Sequence, residues 1–139
     1  MDYKIDQIEK HNDDRGQLVV FLKKTNLPKK YHVLGQIYFV TFDKPGIIRG
    51  NHYHKKWREW FGVVEGKLKV ILKDVRTGEV KKMILSSTSK KYMRLEIGPY
   101  IAHAFTNISD SAALLNYTNT EWSKNDDYEE FLIHSKNNE

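Results

Sequence analysis

Along the middle of the chain, apolar and polar positions alternate with a period of two. Between Lys67 and Val75, Lys67, Lys69 and Lys73 alternate with Leu68, Val70 and Leu72, which predicts a strand with one wet and one buried face. Similar patterning predicts strands over Gln17–Lys23, Gln36–Phe42, Ile47–His54, Glu59–Val64, Val80–Leu85, Tyr92–Ile97, Ala104–Ile108 and Ala112–Thr118. Between them lie breakers: Thr25-Asn26-Leu27-Pro28, the Pro-Gly turn at Asp43-Lys44-Pro45-Gly46, the hairpin loop Arg76-Thr77-Gly78-Glu79, and the polar run SSTSKK. Many short strands punctuated in this way predict an antiparallel sandwich or barrel. After Trp122 the period changes. Asn125 is placed to cap a short helix in which Tyr128, Phe131 and Leu132 fall at i, i+3 and i+4, and the SKNNE tail is expected to fray.

The length of 139 residues suits one closed core and not two. A single domain over 1–139 is expected, with its core at about 10–133. The net charge of +5 comes from lysines spread in pairs with acids between them, a solvated surface and not a basic arm. Nucleic acid is therefore not expected as a partner, whereas an anionic small molecule such as a nucleotide diphosphate is. Without cysteine there is no thiolate site, so any metal must be held by histidine and carboxylate. No apolar run is long enough to cross a bilayer, and the start MDYKIDQIEKHNDDRG lacks the apolar core of a signal peptide. A cytoplasmic protein with no membrane partner is expected.

Candidate chemistry concentrates in GIIRGNHYHKKWREWFGVVEG, residues 46–66. On an extended strand His52 and His54 point the same way, and Glu59 can return on the next strand. Further on, GPYIAHAFTN adds His103 just after a turn. Histidines at alternate positions commonly decorate a solvated strand. Here the flanking Ile47, Ile48, Trp57, Trp60, Phe61, Val63 and Val64 argue for a buried side. Two imidazoles and a carboxylate can bind a divalent metal, or one imidazole can act as a base positioned by the others. Spacing alone does not choose between these.

The run from Gly46 to Gly66 resembles cupin motif 1, and His103 with Asn107 resembles the end of cupin motif 2, with Tyr100 where that family usually has glycine and Pro99 displaced by one position. Arg49-Gly50-Asn51-His52-Tyr53-His54-Lys55-Lys56 resembles the RGxHxHK signature of dTDP-4-keto-6-deoxyglucose 3,4-ketoisomerases and is similar to the RGxH of dTDP-4-dehydrorhamnose 3,5-epimerases. Asp14-Arg15-Gly16-Gln17-Leu18 resembles the DxRGxL opening of the same superfamily.

The resemblance implies an all-β fold, an antiparallel double-stranded β-helix or cupin jelly roll, carrying the short C-terminal helix. It implies a homodimer acting on a dTDP-linked 4-keto-6-deoxy sugar by removing a proton beside the ketone. His52 takes the position of the base, with Arg49 suited to an anionic oxygen and His54 to a second donor. Tyr38 matches a strand tyrosine of the ketoisomerases. Asn51, His103 and Arg49 are expected to contact substrate. Trp122 aligns where the epimerases carry an acidic tyrosine; indole cannot donate as phenol does, and stacking on thymine or sugar is its expected role.

A 3,4-ketoisomerase is accordingly the leading expectation, ahead of an epimerase and of a non-catalytic sugar- or metal-binding cupin. The resemblance implies no required cofactor. Nonetheless His52, His54, Glu59 and His103 form a set that can hold a divalent ion.

Overall fold

A computed structural model describes residues 1–133 of the chain. In order, its strands are β1 (Tyr3–Ile8), β2 (Lys10–Asp13), β3 (Gly16–Val19), β4 (Gln36–Phe42), β5 (Ile48–Tyr53), β6 (Glu59–Glu65), β7 (Lys67–Asp74), β8 (Val80–Ser86), β9 (Tyr92–Ile97), β10 (Ile101–Asn107), β11 (Ala112–Thr118) and β12 (Tyr128–Glu129). Ten of these form two five-stranded antiparallel sheets, ordered β1-β9-β6-β11-β4 and β12-β5-β10-β7-β8, while β2 and β3 make a separate hairpin. Two facing antiparallel sheets of this kind are the expected jelly roll. Among the described residues no helix is long and apolar enough to cross a membrane.

The alternation in β7 works as its pattern requires, with Leu68, Val70 and Leu72 fully buried against Phe61, Leu85, Leu95, Ile101 and Phe105. Its lysines stay on the outer face. Burying a side chain of this size contributes roughly 1.5–3 kcal/mol, so the register of β7 is set by its leucines and valine.

Three expectations need correction. β1 and β2 were not predicted, since Tyr3 and Ile5 alternate with polar residues over too short a run to stand out. β1 forms because it completes a sheet, pairing Tyr3 with Ile97 through to Ile8 with Tyr92. The strand predicted over Gln17–Lys23 is shorter, ending at Val19 after pairing with β2. The C-terminal helix does not form. Lys124–Asp126 is a single 3-10 turn capped by Ser123, and Tyr128–Glu129 then pairs with the edge of β5. The side chain of Asn51 accepts the amides of Leu132 and Ile133. Backbone groups satisfied in this way have no need of i→i−4 bonds. The SKNNE tail lies outside the described residues.

The strap made by residues 119–133 runs across the open end of the barrel. It is held by Asn51, by stacking of Tyr128 on Tyr53, and by a Lys73–Glu130 ion pair.

Candidate active site

The site begins with an irregularity in β5. Gly50 and Asn51 both have positive φ, 103° and 61°, and the pairing of β5 with β10 shifts there, so that His103 opposes His52 while Phe105 opposes Arg49. One extra residue in a strand is a β-bulge. Glycine is required at position 50, because a Cβ would lie 2.5 Å from the carbonyl oxygen of His103. The backbone of β5 therefore presses close to β10, and His52 is brought beside His103, with ring centroids 4.7 Å apart.

His54 and His103 are buried, and one ring nitrogen from each of His52, His54 and His103 lies within 4.8 Å of the others. Their opposite nitrogens are all engaged. His54 Nδ1 is 2.7 Å from the carbonyl oxygen of Asp126, and His103 Nδ1 is 3.2 Å from that of Ile101. His52 Nδ1 is 3.2 Å from Asp127 Oδ1. Carbonyl oxygens only accept, so His54 and His103 carry their protons on Nδ1 and keep a lone pair on Nε2, and the charge of Asp127 favours the same tautomer of His52. Burial lowers all three pKa values: His52 below its ordinary value against the pull of Asp127, His54 to about 4, and His103 well below the usual range. Near neutral pH these are neutral bases.

Glu59, at the start of β6, meets two of them. Its Oε2 is 3.8 Å from His54 Nε2 and 3.6 Å from His103 Nε2. Burial pushes its carboxyl up to about 8, although the Asn116 and Trp57 side chains pull it back. Without a cation beside it, the group holds a proton at neutral pH. Trp57 stacks on His54 at 3.9 Å between centroids and closes the floor.

Above this cluster a cavity of about 220 Å³ is lined by Tyr38, His52, His54, Trp57, Glu59 and Trp122. It adjoins a second, of about 400 Å³, between β5 and the strap, where Asn51, His52, Trp122, Lys124 and Asp127 are found. Tyr38, His52, His54, Glu59 and Trp122 thus share one hollow. Burial holds the Tyr38 phenol well above its usual range, and the charge of Arg49 pulls it back. Trp122 is half-exposed at the mouth, its indole N–H donating to Asp127. His103 lies beneath the cavity floor.

Two expected residues sit differently. The Arg49 guanidinium donates to the carbonyl of Thr41 and packs over Phe42, spanning the two sheets. Asn51 lines the outer cavity, but its amide is committed to residues 132 and 133.

Asp127 and Asp126 were missed by sequence reasoning. They lie far along the chain in a stretch read as helix, and the only available signal was an acidic pair after the last long strand. The tyrosines nearest to Trp122 in sequence do not face His52: the Tyr117 hydroxyl donates to the carbonyls of Tyr31 and Val33, and that of Tyr128 to Asn125.

Fold and site together define a small jelly-roll domain with a histidine–carboxylate pocket at one end. The chain belongs to the polysaccharide biosynthesis C-terminal domain family, which matches residues 11–129. It is 29% identical over 110 residues to a UDP-2-acetamido-2,6-beta-L-arabino-hexul-4-ose reductase of Pseudomonas aeruginosa, a match spanning 78% of this chain but only 27% of that protein. Among solved structures, a 3,4-ketoisomerase from Helicobacter canadensis is 28% identical, with a TM-score of 0.74 over 91% of this chain and 90% of that one. A dTDP-4-dehydrorhamnose 3,5-epimerase from Bacillus anthracis, solved with TDP and PPi bound, shares the fold at 21% identity, with a TM-score of 0.80 over 92% of this chain and 78% of that one. The two enzyme families that the RGNHYHK motif resembles are thus matched in fold.

Proposed function

We propose that this domain isomerises a dTDP-linked 4-keto-6-deoxy sugar, moving the ketone from C4 to C3. The observation that carries this reading is the His52–Asp127 pair at the cavity wall, a neutral imidazole whose Nδ1 lies 3.2 Å from a carboxylate. Its free Nε2 takes the proton from C3, and Asp127 stabilises the imidazolium that forms. The electron pair moves to O4, giving an enediolate. The O3 hydroxyl passes its proton to O4, and a proton delivered to C4 produces the 3-keto sugar with no net oxidation; the proton taken up by His52 then restores the one given to C4. Glu59 stores a proton near neutral pH, with the Nε2 of His54 within 3.8 Å of it, so the Glu59–His54 pair is the source for C4. Inversion at C3 needs a donor on the ring face opposite His52. Trp122 cannot serve, and Tyr117 and Tyr128 point elsewhere; Tyr38, whose phenol lines the same cavity as His52, is the group an epimerase would have to use.

The ligand is read from the motif and from the relatives' nucleotides, and Trp122 is placed to stack on a base or sugar. Arg49 serves by tying β4 to β5 beside Tyr38. The homodimer is read from the outer face of the β1-β9-β6-β11-β4 sheet, where the edge strand β4 leaves Ile37 and Phe39 63% and 70% exposed beside Val33 and Leu34. Apolar surface of this kind on an edge strand calls for a partner. We place the activity in the cytoplasm on the same reading.

A second reading is favoured by the outward-turned Nδ1–H groups, which leave Nε2 lone pairs beside a carboxylate. Histidines that ligate metals almost always donate the other ring N–H in this way. Donor atoms around a tetrahedral ion bonded at about 2.0–2.1 Å stand about 3.4 Å apart, close to the 3.6 and 3.8 Å between Glu59 and its two histidines. His54, His103 and Glu59, with His52, would hold a divalent ion, which when bound would polarise the keto oxygen. Proton and ion are alternatives for the same carboxylate.

The test is NMR of dTDP-4-keto-6-deoxyglucose with the protein in deuterated water. The expected result is exchange at C3 and a 3-keto product. Retention of the 4-keto group with inversion at C3 or C5 would make the protein an epimerase, and no exchange at all would leave a binding domain.

A further inference from the structure

Asp126 is not among the residues lining the two cavities of the site, is 4% exposed, and has its hydrogen bonds divided between two places. Its carboxylate accepts the backbone N–H groups of Lys55 at 2.8 Å and Lys56 at 3.0 Å, in the chain reversal that carries β5 into β6. Its carbonyl oxygen accepts His54 Nδ1–H. The following residue, Asp127, holds His52. Two consecutive residues of the strap therefore address two histidines that are two positions apart at the end of β5: Asp126 bonds the ring nitrogen of His54, and Asp127 places its charge beside that of His52.

Resting on the isomerase reading, we infer that Asp126 is a positioning residue: by clasping the amides of Lys55 and Lys56 it keeps its carbonyl on His54 Nδ1 and so fixes the tautomer that presents His54 Nε2 to Glu59. The carboxylate is needed because a backbone carbonyl in a single 3-10 turn is otherwise free to tilt. Its other supports are the Ser123 carbonyl accepting Asp126 N–H and the Ser123 hydroxyl accepting Asn125 N–H. Two charge-assisted bonds to consecutive amides hold one end of the peptide rigidly. With the opposite tautomer, His54 would turn an N–H, and not a lone pair, toward the Glu59 carboxyl 3.8 Å away.

The experiment compares the wild-type chain with Asp126→Asn and Asp126→Ala in long-range 1H–15N spectra of the histidines, at neutral pH with chelator present. In the wild type His54 should carry its proton on Nδ1. Asp126→Asn should populate the Nε2–H form of His54, Asp126→Ala should do so further, and His52 should be unchanged, whereas Asp127→Asn should disturb His52 instead. Turnover should fall at least about tenfold in both Asp126 variants, the size of effect seen when an orienting partner is removed, with KM unchanged. The proposal is overturned if His54 keeps its proton on Nδ1 in folded variants, or if neither variant folds, which would make Asp126 a folding cap alone. A wild-type protein inert toward the sugar nucleotide removes the isomerase reading, while the tautomer spectra still decide the role of Asp126.

Discussion

Arg49 and His52 turn to the same side of β5 although three positions separate them, an odd spacing that in a regular strand would place them on opposite faces. The bulge at Gly50 and Asn51 absorbs the extra residue. Arg49 opposes Phe105 and His52 opposes His103, two residues that share the inner face of β10 and whose rings are in contact. The RGNH run is thus a structural device as well as a set of functional groups.

Replacing Gly50 by alanine should therefore damage the site through the backbone. The added Cβ meets the His103 carbonyl at 2.5 Å, in a strand held at φ 103°. A loss of about 1–3 kcal/mol is expected for strain of this kind, seen as a lower melting temperature together with reduced turnover. An alanine variant as stable and active as the wild type would show that the bulge is not needed.

His52→Asn should keep the fold and the affinity for dTDP while losing at least about a hundredfold in turnover, the low end of general-base contributions. Asp127→Asn should act in the same direction, because the His52 imidazolium loses its counter-charge. Calorimetric titration with dTDP beside product formation by NMR separates the two effects. Near-normal turnover in His52→Asn would remove it as the base.

Metal binding has its own signature. Protein stripped with a chelator and titrated with Zn2+ should take up one equivalent, and Glu59→Gln and His103→Asn should each weaken uptake at least about tenfold. Elemental analysis with less than about a tenth of an equivalent after loading would exclude the ion.

Stability should depend on pH in opposite senses on the two sides of neutrality. The histidines have folded pKa values below their unfolded ones, so the unfolded chain binds more protons and stability falls as pH drops, for His54 between about 6.5 and about 4. Glu59 is raised from 4.5 to about 8, so its contribution is present at low pH and is lost as pH rises through that window. Melting of the metal-free protein should accordingly weaken between neutrality and pH ~8.5, and Glu59→Gln should abolish that decline. Zn2+ should abolish it too if the ion replaces the proton. A Glu59→Gln variant with an unchanged alkaline limb would assign the decline to other groups.

Charge placed on the exposed edge should separate subunits. Phe39→Asp is expected to convert a dimer into a folded monomer by light scattering after gel filtration. A dimer unaffected by the change would put the interface elsewhere, and a monomeric wild type would remove the dimer.

Strands β4 to β11, the alternation of β7 and the grouping of His52, His54, Glu59 and His103 were legible from local pattern. Strand periodicity places side chains on faces whatever the sheet order, and imidazoles near a carboxylate advertise their chemistry by type. What the tertiary structure alone decided comes from contacts between residues distant in the chain. β1 is a strand because β9 offers it an edge. Within the strap, residues 124–133 form no helix because Asn51, Tyr53 and His54 compete successfully for backbone groups that a helix would have paired. Asp126 and Asp127 reach the two histidines across separations of 72 and 75 positions (126 − 54 and 127 − 52). No local period encodes contacts of that length, and the surroundings of the His52 and His54 ring nitrogens, on which the proposed chemistry depends, are set there.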